Sequence, residues 1–161
     1  MSSGVAAVHG ENCRQLYYLG CSESAAHGEG RIGFAGGDKS VERRSSDERL
    51  IDLVENAQLE GHLPIRADDK LSKQVIVNVS KHGLKIVDLS NGNVLDRVAL
   101  LSIIQCVSFD DGFNHTNVVF LVQKPLSALM QCYLFQARNA NDADYICKQL
   151  KSVFNAVVRQ V

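Results

Sequence analysis

Residues 100–111, LLSIIQCVSFDD, form an apolar run that stops at an Asp-Asp-Gly turn, and no other stretch limits the fold so tightly. Its β-branched and aromatic content predicts a strand. Two more strand-like runs follow, 118–123 and 131–137, and then one amphipathic helix closes the chain. No second long helix remains downstream to cover the run. A strand beside a single helix is a place where an extended segment can join a sheet.

The other elements can be read from periodicity. Residues 13–21, CRQLYYLGC, predict a first strand after a flexible tail over 1–11. Residues 22–44 are polar and glycine-rich, too poor in large side chains to offset their ordering entropy, and predict a mobile loop inside a domain spanning 12–161. Ser45 and Glu48 have capping-box spacing, and Leu50, Ile51, Val54, Ala57 and Gln58 recur with helical period, so a helix is expected over 46–60. From Lys73 the period changes to two, giving strands over 73–80, 84–88 and 94–100, the last pair joined by the turn Ser90-Asn91-Gly92-Asn93. In the closing helix, Ala143, Ile146, Cys147, Leu150, Val153, Phe154 and Val157 lie on one stripe, with Asn141 as the expected cap. Seven short strands and two helices predict an α+β domain, a sandwich or barrel capped by the last helix.

Composition narrows the function classes. The chain has 161 residues, enough for one full core, and its 17 basic residues are balanced by 18 acidic ones. The basic residues form no face with interleaved aromatics, which argues against a nucleic-acid reader. No apolar run is long enough to span a bilayer, and the first residues lack a secretory pattern. Five cysteines, three of them in apolar patterns, behave as free thiols of a reducing compartment, so a cytoplasmic location is expected.

Candidates for chemistry are few. Asp110, Asp111 and His115 could move protons, but Asp-Asp-Gly is first of all a turn. His9, Cys13, Cys21 and His27 match no compact zinc spacing. Gly36-Gly37-Asp38-Lys39-Ser40 resembles a phosphate loop only superficially, since no strand leads into it and no helix leaves it. The expectation is a non-catalytic protein without metal or cofactor. Arg43-Arg44-Ser45-Ser46 places Ser45 and Ser46 after a basic pair, a candidate phosphorylation site, although serine at this position also serves as a helix cap.

The remaining candidate is the strand over 103–109 with the final helix. Strict alternation puts Ile103, Gln105, Val107 and Phe109 on one face and Ile104, Cys106 and Ser108 on the other. The second face begins large and continues small, and a small-residue floor under a helix leaves a groove. Close packing of the helix on an ordinary strand has the same pattern.

The order of elements, together with Leu16-x-Tyr18-Leu19-Gly20 in the first strand, resembles the phosphotyrosine-binding (PTB) domain family on the pleckstrin-homology (PH) superfold. Ala57-Gln58-x-x-Gly61-x-Leu63-Pro64, Val79-Ser80-Lys81-x-Gly83-x-Lys85, Ile103-Ile104-x-x-Val107-x-x-Asp110-Asp111-Gly112 and Ile146-Cys147-Lys148-x-Leu150 are similar to the branch that binds integrin cytoplasmic tails. A malcavernin-like scaffold domain, with a comparable Asp-Asp, is the nearest alternative within the family. The resemblance implies an adaptor that binds Asn-Pro-x-Tyr motifs of an integrin β tail, or of a Krev interaction trapped-type scaffold, by strand addition to 103–109. It implies modulation of integrin activation and a place at the adhesion face of the membrane, reached only indirectly, with the nucleus as a second compartment. Ile104 matches the position that packs against the peptide; Phe154 matches the aromatic that closes the groove, flanked by Leu150 and Val157. An acidic helix face at Asp52, Glu55 and Glu60 offers a secondary contact for a basic partner. A phosphoinositide-binding PH-like domain is the second reading, and it would use Arg66, Lys70, Lys73 and Lys81. Two departures stand out: the glycine-rich 22–44 stretch, and the lack of the branch's long Ser/Thr-rich, basic N-terminal region.

Overall fold

The computed structural model describes residues 13–25, 45–68, 70 and 72–159. Its strands are β1 (Cys13–Ala25), β2 (Lys73–Ser80), β3 (Gly83–Asp88), β4 (Val94–Ala99), β5 (Ile103–Asp110), β6 (Thr116–Val122) and β7 (Leu129–Ala137). Helix α1 (Ser46–Leu59) lies between β1 and β2, and α2 (Ala140–Arg159) closes the chain. All seven strands belong to one antiparallel sheet, ordered β4-β3-β2-β1-β7-β6-β5. Its two edge strands, β4 and β5, are consecutive in sequence and joined by the 3-10 turn Leu100–Ser102. So short a link cannot reach across a flat seven-stranded sheet, so the sheet must curl until its edges approach at this corner. This is the PH/PTB-like α+β fold.

The curl creates two cores. On the inner face, Leu16, Val75, Val77, Ile86, Val98, Ile103, Phe120 and Phe135 meet Ala143, Ile146 and Leu150 of α2. On the outer face, Leu19, Val107, Val119, Leu121 and Leu134 meet Leu50, Val54 and Ala57 of α1. Helix α1 starts at the capping box that the sequence predicts: Ser45 Oγ accepts from the Glu48 amide at 3.1 Å, and the Glu48 carboxylate accepts from the Ser45 amide at 3.0 Å. The Tyr-Leu-Gly of β1 also has a physical role. Pairing with β7 shifts register between Tyr18 and Gly20, and Gly20 has φ +141°, with Leu63 against the place of a side chain.

Three expectations need correction. Leu100–Ser102 is a 3-10 turn, not strand, because the chain must turn the corner between the two edges of the sheet. Helix α2 is capped by Asn139, whose Oδ1 accepts from the Asp142 amide at 2.8 Å, so Asn141 lies inside the first turn. Strand β1 continues to Ala25, where pairing with β7 extends it into the glycine-rich stretch; residues 26–44, the tail over 1–11 and residue 12 lie outside the described residues.

Candidate functional site

Strand β5 ends the sheet. It pairs with β6 on one side and, among the described residues, has no strand on the other. The pairing shifts register between Ile103, opposite Val122, and Gln105, opposite Leu121, so Ile104 is an inserted bulge residue. An insertion reverses alternation from that point on. Ile103 therefore shares the inner face with Cys106, not the outer face with Gln105, Val107 and Phe109. Strict alternation over 103–109 misplaces Ile103 for this reason. Both faces of β5 are covered, Cys106 by α2 and Val107 by α1, while Ile104 stays 50% exposed at the open edge.

A groove of about 370 Å³ runs along this edge. Its floor is Ile103, Ile104, Gln105 and Cys106; one wall is Leu150, Lys151, Phe154 and Asn155 of α2; Ser46 and Asp47 of α1 form the opposite rim. Gln105 ties the floor to the rim, its Nε2 donating to Asp47 Oδ1 at 2.7 Å and to Ser46 Oγ at 3.3 Å. Beyond the groove, Ser108 Oγ donates to Asp144 Oδ1 at 3.2 Å, and the Cys106 and Cys147 sulfurs stand 3.0 Å apart. The hydrogen bond shared by the two thiols, with Lys151 nearby, lowers the Cys147 thiol below its ordinary value, while burial pushes Cys106 well up.

Six of the expected groove residues are brought together here: Ile103, Ile104, Gln105, Cys106, Leu150 and Phe154. Val157 packs half-buried on the inner core, and Ser108 is held by Asp144. Val107 and Phe109 point to the α1 side and do not line the groove, because alternation after the bulge turns them outward. Ser46, Asp47, Lys151 and Asn155 are groove residues that the sequence reading misses. Nothing in the sequence brings the N-terminus of α1 to a strand 59 positions away. Lys151 and Asn155, by contrast, border the apolar stripe and could have been found from it.

The other candidates lie elsewhere. Ser45 is the cap of α1, while Ser46 is exposed on the groove rim. Glu55 and Glu60 are exposed and Asp52 half-buried, and Glu60 sits at the far end of α1, roughly 20 Å from Asp47 at 1.5 Å per residue. Asp110 and Asp111 act as turn acceptors: Asp110 Oδ1 takes the Gly112 amide at 2.7 Å, and Asp111 Oδ1 takes Phe113 at 2.7 Å and His115 at 3.1 Å. Cys13 and Cys21 stand roughly 25 Å apart along β1, too far to share an ion, and His9 and His27 lie outside the described residues. Among the described residues no cluster of three metal-binding side chains occurs. Lys73 and Lys81 are separated by the whole of β2, roughly 25 Å, and Lys73 is paired with Asp88 at 3.3 Å. Arg66 lies over the Phe113 ring. The basic set that a phosphoinositide would need is thus dispersed. No described helix is long and apolar enough to cross a membrane.

Comparison with known proteins gives the family. The family model described as Beta-1 integrin binding protein matches residues 2–160. Integrin beta-1-binding protein 1 of Mus musculus is 31% identical over 162 aligned positions, covering 98% of this chain and 74% of that protein. The Bos taurus protein of the same name matches with the same identity and coverage. An edge-strand groove on a PH/PTB-like sheet and a match along nearly the whole sequence lead to one assignment: this chain belongs to the beta-1 integrin binding protein family.

Proposed function

We propose that the chain is a non-catalytic adaptor whose β5–α2 groove takes an Asn-Pro-x-Tyr segment of an integrin β tail, or of a Krev interaction trapped-type scaffold, by antiparallel strand addition. The observation that carries this reading is the open edge of β5, walled on both sides and marked by the half-exposed Ile104. Main-chain hydrogen bonds to the edge supply affinity, and side-chain pockets supply selectivity. Ile104 packs against the extended part of the peptide. The turn at Asn-Pro lies against α2, where Phe154 closes the groove with Leu150 and Val157. The aliphatic part of Gln105 and the small residues Cys106 and Ser108 leave room for the peptide, while Val107 and Phe109 hold the strand from behind.

Occupancy of the tail by this domain excludes other tail-binding proteins, and that competition is how it modulates integrin activation at the adhesion face of the membrane. Micromolar affinity, about −8 kcal/mol, suffices for a competitive switch. The basic side chains of a partner make a secondary contact with Asp52, Glu55 and Glu60 on α1, worth under about 1 kcal/mol per exposed pair.

The test is calorimetry against a panel of Asn-Pro-x-Tyr peptides, phosphorylated and not, with amide shifts followed by NMR. Binding with the largest shifts at β5 and α2 supports the reading. Absence of binding across the panel, or shifts confined to another face, overturns it.

A further inference from the structure

Where the groove floor meets α2, two thiols come together. Cys106 on β5 and Cys147 on α2 bring their sulfurs to 3.0 Å across the junction of strand and helix. They are 41 positions apart in sequence, so the contact depends on the tertiary fold. Both are half-buried, and Cys106 lines the groove, which gives a small oxidant a path to the pair. Cys21 and Cys132 also lie near one another across β1 and β7, but among the described residues no sulfur–sulfur hydrogen bond joins them, and all five cysteines are free thiols.

We propose that Cys106 and Cys147 are a disulfide-forming pair, closed by hydrogen peroxide or a comparable two-electron oxidant, that clamps α2 to β5 beside the groove. The Cys147 thiolate attacks one peroxide oxygen; the O–O bond breaks, hydroxide leaves, and a sulfenic acid forms on Cys147. The Cys106 sulfur then attacks the Cys147 sulfur, the S–S bond forms as the S–O bond breaks, and the second hydroxide departs. The two thiol protons convert the two hydroxides to water. Two sulfurs lose one electron each, and the peroxide gains both.

The order of attack follows from surroundings. Cys147 is lowered below its ordinary value by the hydrogen bond it shares with Cys106 and by Lys151, while burial raises Cys106, so Cys147 is the more acidic sulfur of the pair and the one that attacks. Burial raises Cys13, Cys21 and Cys132, the last two to about 11, which leaves them protonated at neutral pH. A bond across this junction restrains the C-terminal helix relative to the strand that carries the open edge. Its effect on peptide affinity rests on the proposed function; its formation does not.

The test uses the full reduced chain, one equivalent of hydrogen peroxide, alkylation of remaining thiols, and non-reducing peptide mapping. The first product expected is the Cys106–Cys147 cross-link, with a loss of about 2 Da and the other three cysteines alkylated. In Cys106→Ser the reaction halts at Cys147 sulfenic acid, captured as a dimedone adduct. In Cys147→Ser, oxidation at Cys106 slows at least about tenfold. The oxidised wild type melts about 5 °C above the reduced form. Earlier linkage of any other pair, sulfinic acid at Cys147 without a cross-link, or an unchanged melting midpoint overturns the proposal.

Discussion

Ile103 and Cys106 face the same helix although strict alternation would put them on opposite sides of β5. The inserted Ile104 has no opposite number on β6, and it corrects the phase between them. Two adjacent isoleucines thereby acquire unlike environments, one 8% and the other 50% exposed.

That contrast separates stability from binding. Ile103→Ala removes a buried side chain from the inner core and is expected to destabilise the domain by about 2–4 kcal/mol in denaturant titration. Ile104→Ala is expected to leave the unfolding midpoint within about 0.5 kcal/mol of wild type, since the side chain is half in water. Under the proposed function, however, it weakens peptide binding at least about tenfold, measured by calorimetry. Unchanged affinity in the folded Ile104→Ala variant would remove the groove assignment.

Much of this arrangement is legible in the amino-acid sequence. The β-branched alternation of β2, the Ser45/Glu48 capping box and the stripe of α2 each depend on local spacing, and the elements they predict form as expected. What local spacing cannot supply is the pairing that shifts phase. A bulge is a mismatch between two strands, so Ile104 is not distinguishable from its neighbours until β6 is laid beside it. The rim formed by Ser46 and Asp47 is hidden for the same reason, because α1 meets β5 only through the curl of the sheet. Asn139 and Asn141 differ by two positions in one polar run, and only the backbone turn decides which caps.

Ser45 supports that rim from a distance. Its hydroxyl fixes the first turn of α1, which presents Asp47 to Gln105. Ser45→Ala is expected to cost about 1 kcal/mol through loss of the cap, whereas Ser45→Asp keeps an acceptor there and stays near wild type. Chemical denaturation reads both. Equal destabilisation by the two substitutions would show that the cap contributes nothing.

Gly83 enables the tight passage from β2 to β3. Its φ is +125°, and a Cβ there would run into the Val98 carbonyl oxygen of β4 and the Leu100 amide of the 3-10 turn, both backbone groups. Neither can swing aside as a flexible side chain would. Gly83→Ala is therefore expected to cost more than about 3 kcal/mol, combining positive-φ strain with displacement of the corner. Thermal unfolding that matches wild type would contradict the close approach.

Asp88 gives the domain a predictable acid sensitivity. Its carboxylate is 3% exposed and accepts from the Ser90 amide at 2.9 Å, the Ser90 hydroxyl at 2.7 Å and Lys73 Nζ at 3.3 Å. The Ser90 hydrogen bonds, with a smaller contribution from Lys73, hold its pKa below the ordinary carboxylate range. The folded chain thus binds this proton less readily than the unfolded chain, so stability falls with pH where the unfolded carboxyl protonates. The contribution is fully present above the range in which the unfolded carboxyl titrates and disappears as pH drops through the folded pKa, which lies below that range. Asp88→Asn is expected to melt lower than wild type at pH 7 and to lose part of the slope of melting midpoint between about pH 5 and 2. Melting curves collected at half-unit steps test this directly, and parallel profiles for the two proteins would show that Asp88 is not the group that titrates.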